Sequence, residues 1–222
     1  MSARQVDFVI PRQYAVFTYV LILSFALSLA LTWVMQKLAR RWNILDHPAG
    51  RKSHDKSTPL LGGAAIFITF YIVLIGHVVA VSWFWPWGPA WLAQKLAMLL
   101  GEDHGQKMVG ILLAGAMIFI LGIVDDLHVL RPWFKLLGQI AAALVLVFFG
   151  MRIHLFYLHD VFSSSFITVL WVVLIVNSMN LLDNMDGLSG GVSIIAAITF
   201  FLSVQPYDTG FMVRFMLVIF AG

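Results

Sequence analysis

Residues 161–187 read VFSSSFITVLWVVLIVNSMNLLDNMDG, a run that carries no Asp, Glu, Lys or Arg as far as Leu182 and then two acids, Asp183 and Asp186, in quick succession. A helix needs about 20 mostly apolar residues to cross the hydrocarbon of a bilayer. The stretch therefore predicts a complete transmembrane helix with two carboxylates where it leaves the lipid. Five further runs lack charge in the same way: Gln13–Gln36, Ser57–Gln94, Met108–Val124, Leu136–Met151 and Gly187–Tyr207. An apolar segment that opens near Phe211 and reaches Gly222 is too short to cross and predicts a seventh span cut off by the end of the chain. The expected fold class is all-α: a polytopic transmembrane helix bundle with six complete spans and a truncated seventh, in which residues 1–222 form a single transmembrane domain.

Composition leads to the same solvent. At 61% hydrophobic and 11% charged residues, the chain has more apolar surface than a water-soluble domain of its length can hide. The first run is too long for the core of a signal peptide and is preceded by Asp7 among Arg4 and Arg12, so it reads as a retained helix. Trp83–Trp91 marks the interfacial exit of the second run, where Trp is favoured. The fourth run is short, and Lys135 and Arg152 at its ends read as side chains that snorkel out of the lipid. Cysteine is absent, which removes disulfides and thiolate metal sites from consideration. The net charge of +3 does not point to nucleic acid, because the basic residues lie between apolar spans and form no stripe.

If the helices alternate in direction, the loops after the first, third and fifth spans share one face. Lys37, Arg40, Arg41, Arg51, Lys52 and Lys56 fall in the first of these loops, and Arg131 and Lys135 in the second, so the positive-inside rule makes this face cytoplasmic and puts the N-terminus outside. The cytoplasmic loops then cover about residues 37–58, 125–135 and 183–188. Asp46, Asp55, Asp125, Asp126, Asp183 and Asp186 all collect there, whereas Asp7, Glu102, Asp103, Asp160 and Asp208 fall on the other side without comparable order.

Asp125 and Asp126 follow an apolar helix directly. Two like charges at a partly desolvated boundary repel unless a cation or strong donors stabilise them, and a divalent metal would do so. The alternative is a solvated helix end, which the helix macrodipole disfavours for acids. Downstream, Asn177, Asn180 and Asn184 share one helix face, and Asp183 and Asp186 continue around it. So dense a polar stripe ending a lipid-compatible helix reads as a binding or catalytic surface; for Asn177 alone, an amide joining two helices reads as well. The first loop, Asp46 to Gly63, offers Arg51, Lys52, His54 and Lys56. Its cations suit phosphates, and equally suit a topology signal against anionic headgroups. His77, His104, His154 and His159 read as packing or interface residues, and His128 stays open because it follows the acid pair.

Taken in order, three stretches carry a resemblance: Asp46-His-Pro through Arg51-Lys52-x-His54 to Thr58-Pro59-x-x-Gly62-Gly63, then Gly122-x-x-Asp125-Asp126, then Asn180-x-x-Asp183-x-x-Asp186-Gly187. Over about residues 40–200 the chain resembles the polyprenyl-phosphate N-acetylhexosamine-1-phosphate transferases of glycosyl transferase family 4, relatives of the phospho-N-acetylmuramoyl-pentapeptide transferases. The first loop looks more like the branch that uses nucleotide-linked N-acetylhexosamine. Asn184 stands where the family often has Gly. Family members continue with a Gly-Asp motif and a histidine-containing loop, so the chain is expected to be the N-terminal portion of a longer domain, with weak or absent catalysis by itself and an active intact protein.

The resemblance implies a bacterial inner-membrane enzyme with its site at the cytoplasmic face, initiating a cell-envelope glycan. It would transfer N-acetylhexosamine-1-phosphate from a UDP-sugar, UDP-N-acetylglucosamine or a close analogue, to undecaprenyl phosphate and release UMP. The implied cofactor is Mg2+, with Mn2+ as the alternative ion, held by Asp125, Asp126, Asp183 or Asp186, the expected catalytic set. Asp125 is expected to ready the acceptor phosphate and Asp126 to lie nearer the metal, roles that could be exchanged. Arg51, Lys52 and Lys56 are expected to hold phosphates, His54 to hydrogen-bond the nucleotide or lipid phosphate, and Asn177 and Asn180 to bind substrate. A homodimer is compatible with this reading. The rivals are a membrane transporter, which would place ionisable groups near the midplane of interrupted helices, and a catalytically inactive truncated homologue.

Overall fold

The computed structural model describes residues 12–46, 58–84, 102–154, 160–183, 187–204 and 210–222. Its helices are α1 (Arg12–Arg41), α2 (Gly62–Phe84), α3 (Glu102–His128), α4 (Pro132–Phe148), α5 (Val161–Leu182), α6 (Leu188–Ser203) and α7 (Gly210–Ala221). Four of them contain stretches long and apolar enough to cross a membrane: Tyr14–Arg41, Gly62–Ala80, His104–His128 and Val161–Leu182. Shorter apolar helices, α4 and α6, stand beside these, so the chain is a multi-pass membrane protein. At 17 residues, α4 extends about 25 Å at 1.5 Å per residue, somewhat less than the hydrocarbon thickness.

Local chemistry sets the helix ends. Asp160 caps α5, its carboxylate accepting from the Ser163 amide at 2.8 Å. That backbone bond, with help from the Ser163 side chain, holds the Asp160 carboxyl below its ordinary range. Pro132 occupies the first turn of α4, where its missing N–H costs nothing. At the end of α1, Asn43 adopts φ 55, and the Ile44 amide reaches back to the Ala39 carbonyl at 2.9 Å. This is the left-handed stop that Asn tolerates better than most residues.

One strand pairing departs from an all-helical chain. Leu45–Asp46 pairs antiparallel with Thr58–Pro59, and the Leu60 amide adds a bond to the Ile44 carbonyl at 3.3 Å. The ladder is two residues long and draws together the end of α1 and the start of α2.

Neighbouring helices run antiparallel. Tyr19 of α1 meets His77 of α2 while Ile44 meets Leu60, and Phe67 of α2 stacks on Phe119 of α3 while the Tyr71 hydroxyl donates to the Leu112 carbonyl. Across α3 and α4, Leu121 faces Gly138 and Phe149 faces Gly110. Across α4 and α5, Lys135 faces Asn180, and the Ile153 amide, just past α4, bonds Thr168. α7 then returns against α1 and α2, and its Phe215, Val218 and Ile219 join Phe17, Val20, Val73 and Leu74 in the main buried cluster. The consequence for function is that the ends of α1, α3 and α5 lie at one end of the bundle with the starts of α2, α4 and α6. Ile22, Leu29, Ile120, Phe166 and Ile195 point outward from their helices, as they should where lipid is the solvent.

Candidate functional site

The α3–α4 contact begins from small residues. A Cβ on Gly110 would lie 2.6 Å from Phe149 Cβ, and one on Gly138 would lie 2.9 Å from both Leu121 methyls. Glycine at both positions lets the helices approach closely, as small residues do in membrane bundles. This approach sets the last turn of α3, with Asp125 and Asp126, beside the first turn of α4.

There Asp125 is engaged on both oxygens. Oδ1 accepts from the Leu130 amide at 3.0 Å, and Oδ2 lies 2.9 Å from the Lys135 ammonium. The chain reaches Leu130 through Val129, which sits at φ 24, an uncommon conformation for a β-branched residue, and is 89% exposed. A carboxylate at a helix C-terminus opposes the macrodipole, and these two donors offset that cost locally. Asp126, the next residue, is exposed.

Lys135 also donates to Asn180 Oδ1 on α5 at 3.2 Å, so one ammonium ties three helices together. One turn deeper, Gln139 of α4 and Asn177 of α5 form a reciprocal amide pair. The Asn177 amide donates to Gln139 Oε1 at 2.7 Å, the Gln139 amide donates to Asn177 Oδ1 at 3.4 Å, and Asn177 donates further to the Val173 carbonyl. Gln139 is 1% exposed, and as an amide in an apolar helix it would be costly without this partner. Asp183 terminates α5 and accepts from the Ser189 hydroxyl of α6 at 2.7 Å. Gly187, at φ 73, makes the turn between these helices in a conformation that glycine adopts without strain.

Of the expected site residues, the structure thus brings Asp125, Asn177, Asn180 and Asp183 to one end of the α3–α6 group, with Asp126 beside them. Arg51, Lys52, His54, Lys56 and Asp186 lie outside the described residues. Among the described residues no three His, Asp or Glu side chains converge on a point. His77 packs between the rings of Tyr19 and Phe215, and His128 is exposed in the last turn of α3.

Lys135 gains partners that the sequence reading did not assign to it: its ammonium donates to Asp125 and Asn180 at the end of the bundle. Gln139 was not anticipated. The available signal was its i, i+4 spacing from Lys135, which puts both polar groups on one face of an otherwise apolar helix.

Asp125 Oδ2 and Asn180 Oδ1 both accept from the Lys135 ammonium, and Asp183 lies a turn beyond Asn180. The acceptors of these contacts are oxygens, the donor type that hard cations take.

Comparison with known proteins extends over most of the chain. The family model described as glycosyl transferase family 4 matches residues 108–222, which include every polar contact of the α3–α6 group. A Bacillus subtilis protein named "Probable undecaprenyl-phosphate N-acetylglucosaminyl 1-phosphate transferase" is 31% identical over 185 residues, covering 80% of this chain and 45% of that protein. A decaprenyl-phosphate N-acetylglucosaminephosphotransferase of Mycobacterium tuberculosis is 32% identical over 176 residues, covering 75% of this chain and 40% of its own length. More distant is a phospho-N-acetylmuramoyl-pentapeptide-transferase of Lactobacillus gasseri, 26% identical over 184 residues, or 78% and 54% of the two chains. The chain spans about half the length of these relatives. With its family match over more than half of its residues, and with Asp125, Asp126 and Asp183 set at one end of an antiparallel helix bundle, the chain belongs to glycosyl transferase family 4.

Proposed function

We propose that the protein transfers N-acetylhexosamine-1-phosphate from a UDP-sugar to undecaprenyl phosphate and releases UMP, at the cytoplasmic face of a bacterial inner membrane. The observation that carries this reading is the junction of Asp125, Lys135 and Asn180, where α3 and α5 present oxygens to the single positive charge of α4 at a helix-bundle end. The names of the Bacillus and Mycobacterium relatives support the acceptor and the sugar.

The physical problem is to bring a lipid phosphate against a pyrophosphate when both are anionic. One phosphorus–oxygen bond of the pyrophosphate breaks, UMP leaves, and a new bond forms to the lipid phosphate. Asp125, Asp126, Asp183 and Asp186 would hold Mg2+ or Mn2+, whose charge would screen the phosphates and favour an in-line displacement. Asp125 would ready the acceptor phosphate, its carboxylate oriented by the Leu130 amide and Lys135, and Asp126 would serve chiefly to hold the ion, roles that the two could exchange. Asn180 borders the substrate, Asn177 is committed to Gln139 and the Val173 carbonyl as a tie between helices, and Arg51, Lys52, His54 and Lys56 grip the phosphates and nucleotide. An interfacial position fits the partners, because a nucleotide sugar arrives in water and a polyprenyl tail stays in lipid. The basic residues of α1 and the following loop favour the cytoplasmic side and an external N-terminus.

UMP release by the intact protein in membranes tests the reading. Asp125→Asn and Asp183→Asn are expected to lower the rate by about 100-fold or more, the scale on which removal of a single charge-stabilising group acts. Chelation should abolish labelling of lipid from UDP-sugar, and added Mg2+ should restore it. Near-normal rates in both variants, or labelling indifferent to chelator, would refute the proposal.

A further inference from the structure

Below the charged junction lies a contact that the transferase reading does not use. Gln139 is among the most deeply buried side chains of the described residues, yet it is polar and spends both ends of its amide on Asn177. The spacing is informative. Gln139 follows Lys135 by four residues on α4, and Asn177 precedes Asn180 by three on α5, so the two antiparallel helices carry matched pairs one turn apart. The outer pair, Lys135 with Asn180, also holds Asp125. The inner pair, Gln139 with Asn177, touches no acid among the contacts described here.

We propose that Gln139 is a positioning residue: its reciprocal bond with Asn177 fixes the rotation and register of α5 against α4, so that Asn180 meets Lys135 and Lys135 is aimed at Asp125. Apolar helix surfaces slide and rotate against each other at little cost in lipid, where no hydrophobic force separates one apolar arrangement from another. A two-bond amide pair has one register. Rotating α5 by a single residue would swing Asn177 about 100° away from Gln139 and leave a buried amide unpaired, an arrangement that carries its full desolvation penalty. The same rotation would withdraw Asn180 from Lys135. Register at the buried pair and geometry at the exposed junction are therefore one variable. Gly138, next to Gln139, holds the other side of α4 tight to α3, so α4 is fixed between Asp125 on one flank and the α5 amides on the other.

The inference rests on the proposed transferase activity for its kinetic readout and has a second readout that does not. In the intact protein, Gln139→Leu keeps side-chain volume and removes the amide. It is expected to lower kcat by about tenfold or more with KM for the UDP-sugar within about threefold, since displacements near 1 Å at a reacting centre can cost about 100-fold. The swapped variant Gln139→Asn with Asn177→Gln restores the pair with its lengths exchanged, and should recover kcat to within about threefold of wild type. Loss of thermal stability in Gln139→Leu with unchanged kcat, or a folded swapped variant as slow as Gln139→Leu, would overturn the proposal.

The independent readout is acetylation of Lys135 by a water-soluble acylating reagent, quantified by peptide mass spectrometry on folded protein. Paired with Asp125 and Asn180, the amine should react slowly; in Gln139→Leu it should react at least about threefold faster, and in the swapped variant at the wild-type rate. Equal labelling rates in all three proteins count against the inference. Should Gln139→Leu fail to fold, Gln139→Met gives the same comparison with a more adaptable side chain. A wild-type protein that releases no UMP but shows this labelling pattern would defeat the transferase reading and leave the register device standing.

Discussion

Lys135 shows how much one side chain can hold together. Its ammonium is shared between Asp125 and Asn180, and lysine and acid are each 23% exposed. Solvent therefore screens the pair, and its contribution to stability is expected to be about 1 kcal/mol or less. Its contribution to function should be larger, because the same contacts decide where the Asp125 carboxylate points. Lys135→Met, which preserves most of the stem, is expected to lower the thermal midpoint by only a few degrees and the rate of UMP release by about tenfold or more. Lys135→Arg should not rescue it fully, since a planar fork does not reproduce a point charge. Circular dichroism melts beside the UMP assay separate the two effects, and a rate that falls only in step with folded fraction would reduce Lys135 to a structural tie. Asp125 and Asp183 were legible in the sequence because acids bounding apolar runs stand out against their background. The partners of Lys135 were not legible, because a cation at the edge of a span has the same sequence signature whichever neighbours it meets.

At the scale of elements, the chain was easiest to read where two independent signals agreed. The charge-free run 161–182 coincides with α5 because Asp160 caps one end and Asp183 with Gly187 ends the other. Charge alone placed the fourth run at 136–151, whereas α4 covers Pro132–Phe148, since proline sets the first turn and Lys135 is helical. Among the described residues, four of the expected spans coincide with helices of membrane length and α4 and α6 are shorter apolar helices, because a charge-free run can include interfacial loop as well as helix. No periodicity foretold the Leu45–Asp46 ladder with Thr58–Pro59, a pairing too short to leave a pattern. Packing between elements also hinges on residues that sequence leaves bland. Gly110→Ala is expected to push α3 from α4, because the added methyl would meet Phe149 Cβ, an atom anchored to backbone, at 2.6 Å. Overpacking of this kind costs about 1–3 kcal/mol. Gly138→Ala should cost less, since the Leu121 methyls it would meet can rotate away. Melting both variants in detergent, and finding Gly110→Ala no less stable than Gly138→Ala, would contradict this account of the interface.

The whole molecule converts an alternating helix path into a one-sided site. Because successive helices run antiparallel, the turn 129–131 lies at the end of the bundle that carries Asp125 and Asp183, and residues 151–154 lie at the other. The function requires more than this, namely that the first end face the cytoplasm, where nucleotide sugars are. Residues 1–222 contain no cysteine, so a reporter placed among them has no competing thiol within this stretch. Val129→Cys, at an 89% exposed position, and His154→Cys, also exposed, sit at opposite ends. In intact spheroplasts a membrane-impermeant maleimide should label His154→Cys at once and Val129→Cys only after permeabilisation, if the proposed orientation, drawn from the positive-inside rule, holds. Labelling of both from outside would break the antiparallel path itself. Labelling of Val129→Cys alone from outside would preserve the fold but turn the aspartates away from the only compartment that supplies a UDP-sugar, and the proposed reaction would then have no donor.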